Sequence, residues 1–130
     1  MTKLLLSYAS TVTVMAVIDL LWIGVIARPL YKSGIGHLMA DQPAAIYAVL
    51  FYVVFPMGLM IFAVVPFAET AGWTKSLAMG ALFGFFAYAT YDLTNLATLK
   101  NWPLWLSLID MAWGSAVCGA AAVVGKLVIS

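Results

Sequence analysis

Apolar residues run almost unbroken through four stretches of the chain, about 4–26, 43–65, 76–99 and 104–127, and polar residues gather in three gaps between them. Each stretch has the length of a bilayer-spanning helix, which needs about 20 apolar residues. Membrane barrel strands instead alternate polarity in segments of about ten residues, and no such alternation occurs here. The expected fold is all-α, an integral membrane four-helix bundle, with residues 1–130 as one transmembrane domain. Lys3 ahead of a leucine run gives the first stretch the look of a signal peptide. Asp19 and Trp22 interrupt it, however, and no small-x-small cleavage site appears. The stretch is therefore expected to stay as a span.

Proline and tryptophan punctuate the same four segments. Pro43 is expected in the first turn of the second helix, where proline is tolerated. Pro66 should end that helix, Pro103 should begin the fourth, and Pro56 should kink the second by removing a backbone hydrogen bond. Trp73, Trp102 and Trp105 fall at span ends, as in an aromatic belt. The connection Lys100-Asn101-Trp102-Pro103 is short enough for a tight antiparallel hairpin. The first connection, 27–42, is longer and mixes apolar and basic residues, among them Arg28, Tyr31, Lys32 and His37. It reads equally as a segment lying among lipid headgroups and as a solvated loop. In the last stretch Gly114, Cys118, Ala121, Ala122 and Gly125 form a small-residue face, which permits close helix approach in lipid.

Composition narrows the class further. Of 130 residues 65% are hydrophobic and 8% charged, against about 45–50% and about 25% in soluble domains. That excludes a soluble globular fold and a disordered tail. A net charge of +1 supplies no basic field, so nucleic acid is excluded as a partner. The single cysteine, Cys118, rules out an intrachain disulfide and a cysteine metal cluster. No Ser-His-Asp set, paired-histidine zinc motif or glycine-rich phosphate loop is present, so neither a metal nor a cofactor is expected. Lys3, Lys75 and Lys126 fall on one side of the four spans, and Arg28, Lys32 and Lys100 on the other. The charge rule for orientation has nothing to act on.

The chemistry lies in three intramembrane acids, Asp19, Asp92 and Asp110. Each costs at least about 2.5–3.5 kcal/mol to insert. Counting residues from each span centre at about 1.5 Å rise puts all three roughly 6–8 Å off the midplane, on the same side. One shared site is the expectation. Tyr88, Tyr91, Asp92, Asn95 and Thr98 follow helical spacing as a polar stripe, which makes Asp92 the expected hub. Tyr8, Thr11, Met15, Asp19 and Trp22 align on the first helix, and Tyr47 lies on the correct half of the second with Tyr52 deeper. Trp22 is expected above the carboxyl layer and Trp113 below it. Three adjacent carboxylates cannot all stay charged in a low dielectric. A proton, a bound cation, or Arg28 or Lys32 reaching in should relieve them, with His37 as a further gate or counter-charge. Polar contacts between helices that serve adhesion alone would account for the same residues, each such bond contributing about 0.6–2 kcal/mol. The words Ile18-Asp19-Leu20-Leu21-Trp22 and Ile109-Asp110-Met111-Ala112-Trp113 are alike. A two-helix duplication would pair the first helix with the third, so no repeat is read.

Asp19-x-x-Trp22, Tyr31-x-x-x-Ile35-Gly36-His37-Leu38, Tyr91-Asp92-Leu93-Thr94-Asn95 and Asp110-x-x-Trp113-Gly114 together resemble a family of small bacterial inner-membrane proteins catalogued as a domain of unknown function. The resemblance covers nearly the whole chain. It implies a multi-pass protein of the bacterial inner (cytoplasmic) membrane with Asp19, Asp92, Asn95 and Asp110 as signature positions, and it implies no activity. Size and layout also resemble small multidrug exporters, which use one membrane carboxylate in an antiparallel dimer. The even charge split allows such a homodimer, whereas three acids on three helices depart from that pattern. The leading expectation is binding or transport of a proton, a cation or a small amphipathic molecule, with membrane lipids as surroundings. The alternative is a membrane enzyme, or the subunit of one, acting on a lipid or isoprenoid. A pocket open sideways to lipid would favour the enzyme, and one open to water the transporter.

Overall fold

The computed structural model describes all 130 residues, which form five helices. α1 covers Thr2–Leu21 and continues through a π turn at Trp22–Ile26. A short α2, Arg28–Ile35, ends in a 3-10 turn at Gly36–Leu38. α3 covers Ala45–Leu59 and runs on through a π turn at Met60–Val64 and a 3-10 turn at Val65–Phe67. α4 is Thr74–Thr98 and α5 is Leu104–Ile129. The four long helices match the expected stretches within two residues at each end.

Three differences follow from local chemistry. The first connection carries a helix, α2, because Pro29 in its first turn presets the backbone angle that a helix start needs. Pro43 stands ahead of α3 instead of in its first turn, and Ala44 caps that helix. Three helices, not four, are long and apolar enough to cross a membrane by length and composition: Thr2–Ile26, Ala45–Phe67 and Leu104–Ile129. α4 has the length, but its stripe of tyrosines, Asp92, Asn95 and threonines lowers its hydropathy.

Polarity is inverted relative to a soluble protein. α1 buries Ser7, Thr11, Met15 and Asp19, one residue every four, and three of these are polar. Outward it presents Leu5, Leu6, Val17 and Leu20; α3 presents Ile46 and Val54, and the π turn after it Phe62. A continuous apolar exterior of this kind requires a lipid-like surrounding.

α5 is the central helix and packs on α1 and α4. The α1–α5 pair is antiparallel: Ser7 Oγ donates to the Gly125 carbonyl at 2.7 Å near one end, and Asp19 meets Trp113 towards the other. α3 touches α1, and the π turn after it reaches α4 and α5. Met15, Leu59, Met60, Val64, Val117 and Cys118 form much of the apolar core. The α4–α5 seam is closed by glycine. A Cβ on Gly84 would lie 2.2 Å from the Gly114 carbonyl oxygen, and one on Gly114 would lie 2.2 Å from the Tyr88 ring. Lys126 is buried as well, its ammonium donating to the Ala68 carbonyl at 2.9 Å.

Candidate functional site

The three aspartates are buried, with 3% of Asp19, 2% of Asp92 and 8% of Asp110 exposed. Asp19, near the end of α1, accepts two hydrogen bonds: Trp113 Nε1 donates to one oxygen and the Tyr52 hydroxyl to the other, each at 2.8 Å. Asp110, in the second turn of α5, accepts from the Tyr31 hydroxyl at 2.5 Å. That hydroxyl in turn accepts from Trp22 Nε1 at 3.3 Å. The Asp92 carboxyl lies against that of Asp110, and its Oδ2 is fully enclosed without a hydrogen-bond partner.

The two Asp-x-x-Trp words face one another across the antiparallel α1–α5 pair. The indoles of Trp22 and Trp113 stack with centroids 4.3 Å apart and planes 7° from parallel. The two rings are therefore in direct contact. The helix rise separates each tryptophan from its aspartate by only about 4.5 Å, and the long indoles close that offset and meet face to face. Each aspartate at this crossing holds one tyrosine hydroxyl, and each tryptophan bonds across to the other word, Trp113 directly and Trp22 through Tyr31. Like words on antiparallel helices produce local two-fold pairing without any duplication of helix pairs.

Two devices bring α2 to the site. The π turn places the Ala27 N–H on the Trp22 carbonyl at 2.6 Å and redirects the chain. Gly34 then lets α2 sit on the start of α5, since a Cβ there would lie 2.8 Å from Leu106 and 3.0 Å from Pro103. Tyr31 is thereby half-buried over Asp110. Burial, together with the Asp110 carboxyl that it donates to, holds the Tyr31 phenol above its ordinary value.

A cavity of about 670 Å³ opens in front of this cluster. Asp19, Asp110, Tyr31, Tyr52, Tyr88 and Tyr91 supply its polar side; Phe51, Phe55, Ile23, Ile35, Ala48 and Ala87 are among its apolar lining. Asp92 stands behind Asp110 and outside the lining, so it is not the hub that its stripe suggests. Tyr91 lines the rim, 53% exposed, with its ring edge-on to Trp102; half-buried Asn95 lies beside it. Tyr47 is 72% exposed and outside the cavity, and Tyr52 occupies the place expected for it. Five residues along a helix turn the direction by about 140°, so the two cannot both face inward. Arg28, Lys32 and His37 are exposed on α2 and the turn after it, and none is a partner of the carboxyls. The relief expected from basic residues is supplied by neutral Trp and Tyr donors at Asp19 and Asp110.

The family described as Predicted membrane protein (DUF2177) matches residues 4–127, and the chain belongs to it. No curated protein and no solved structure matches the chain.

Proposed function

We propose that this member of the Predicted membrane protein (DUF2177) family is a four-span, multi-pass protein of the bacterial inner membrane that binds and transports a cation or small amphipathic molecule at the Asp19–Asp110 wall. The observation that carries the reading is the cavity: two carboxyls and four tyrosines in an otherwise apolar lining. Ligand pockets are typically about 300–1,000 Å³, mostly apolar, with few convergent polar groups. α4 serves as the fourth span by turning Asp92 inward and Leu82, Phe85, Phe86 and Leu93 outward to lipid. Two adjacent carboxyls repel when both are charged in a low dielectric, and either a proton or a cation relieves that repulsion. A cation reaching Asp110 replaces that proton.

The test is amine-driven proton movement in proteoliposomes loaded with a pH-sensitive dye. Proton release that saturates with added amine and disappears in Asp110→Asn supports the reading. Flux equal to that of protein-free liposomes counts against it. A lipid- or isoprenoid-modifying enzyme is the second reading, favoured by the largely apolar lining of the cavity, with Asp110 as general acid or base. A new lipid product found by mass spectrometry after incubation with membrane extract would favour it over transport.

A further inference from the structure

Three sides of the cavity are closed. Behind it stand Asp19 and Asp110. One end is capped by Tyr31, Ile35 and Met39, on α2 and beyond it. The other end is closed where α3 meets α4: Phe55 and Phe62 pack on Phe83, with centroids 5.2 Å and 5.8 Å apart, and Gly58 lies under the same ring. The fourth side is open. No residue of α3 before Pro56 is buried, and its aromatic contact with α4 is confined to Phe55 at the far end of that stretch. Small side chains face the gap, Ala48 from α3 and Ala87 from α4. Beyond them the exteriors of both helices are apolar, with Leu50, Phe51 and Phe86 exposed. In a membrane-spanning chain, this side faces lipid chains.

Its charge is equally one-sided. No Lys, Arg or His lines it, and two carboxyls do. Asp92 Oδ2 lies behind them, enclosed and without a hydrogen-bond partner. A phosphate or carboxylate head would meet repulsion and no cation. An ammonium head would meet carboxyl and phenol oxygens together, and the tyrosine faces add cation–π attraction. Resting on the binding reading above, we infer that the ligand is a single-chain amphipathic amine that enters from the lipid between α3 and α4. Its ammonium lies on the Asp19–Asp110 wall, and its chain passes between Ala48 and Ala87.

The experiment is equilibrium binding of dodecylamine, butylamine and dodecanoate to the full chain in phosphatidylcholine nanodiscs, each measured above protein-free nanodiscs. Saturable dodecylamine binding that dodecanoate does not displace is expected. Asp110→Asn should weaken both amines together. Ala48→Leu with Ala87→Leu narrows the gap and should lower the preference for dodecylamine over butylamine by about tenfold or more. An unchanged preference in that folded variant overturns the lateral route and leaves the carboxyl site standing. Dodecanoate bound as tightly as the amine overturns the choice of head group. Absence of saturable binding of either amine overturns both this inference and the binding reading. A second measurement needs no substitution: dodecylamine carrying a diazirine on its chain should label Ala48, Phe51, Ala87 or Tyr91. Labelling confined to outward residues such as Leu5 and Leu127 overturns the route.

Discussion

Gly84→Ala tests the packing that holds the site in place. The new Cβ would stand 2.2 Å from the Gly114 carbonyl oxygen and 2.7 Å from Cys118 Cβ, against an ordinary contact that starts at 3.4 Å. The deficit at the oxygen is about 1.2 Å, and the obstacle is helix backbone, which cannot rotate away as a side-chain end can. α4 must move off α5. Overpacking costs about 1–3 kcal/mol in general, and backbone against backbone puts this case near about 3 kcal/mol. Tyr88 and Asp92, on the same helix, move with it, so the cavity wall opens as well. Gly24→Ala is the control: nothing lies within 4 Å of its Cβ, and replacing glycine in a helical segment stabilises by about 0.5–1 kcal/mol. Both are measured as unfolding free energies in detergent. Gly84→Ala as stable as the parent would refute the close-approach argument.

Asp19→Ala leaves Trp113 Nε1 and the Tyr52 hydroxyl without acceptors at about 1–3 kcal/mol each, whereas Asp19→Asn keeps an acceptor oxygen and should lose less; the comparison of their unfolding free energies checks this. Trp113→Phe removes one donor to Asp19, costs about 1 kcal/mol and abolishes the exciton couplet of the Trp22–Trp113 stack in circular dichroism; a couplet that survives would contradict the stacking. The Tyr31 phenol, held above its ordinary value, stays protonated in the folded protein where a free tyrosine ionises near pH 10. Its contribution to stability is complete below pH about 10 and is lost as the pH rises from there towards the folded value. The ultraviolet difference between the parent and Tyr31→Phe should therefore show no phenolate at pH about 10, and a normal phenolate signal there would contradict the burial of Tyr31.

Long apolar runs made α1, α3 and α5 legible, because only a membrane-length helix fits them. Counting the helix rise puts Asp19, Asp92 and Asp110 at one depth without knowledge of any contact, and the structure brings all three close together. Rotation about each helix was less legible. α3 is apolar all round, so nothing in its sequence distinguished Tyr47 from Tyr52, and packing on α1 decided it. Tyr31 was visible as part of a motif, but its role depends on a π turn and on a missing side chain at Gly34, neither of which periodicity reports. The matched Asp-x-x-Trp words are visible in the sequence, where a helix-pair duplication does not explain them. Their meaning appears only when α1 and α5 lie antiparallel in contact.

The central claim is that the buried carboxyls serve a ligand and not helix adhesion alone. Asp110→Asn separates the two most directly, because an asparagine oxygen can still accept from the Tyr31 hydroxyl while the ionisable group is gone. Dodecylamine binding in nanodiscs and the unfolding midpoint are measured on the parent and the variant side by side. The account predicts a retained midpoint and loss of saturable binding. Equal binding at an equal midpoint would contradict it and leave adhesion as the reason for Asp110.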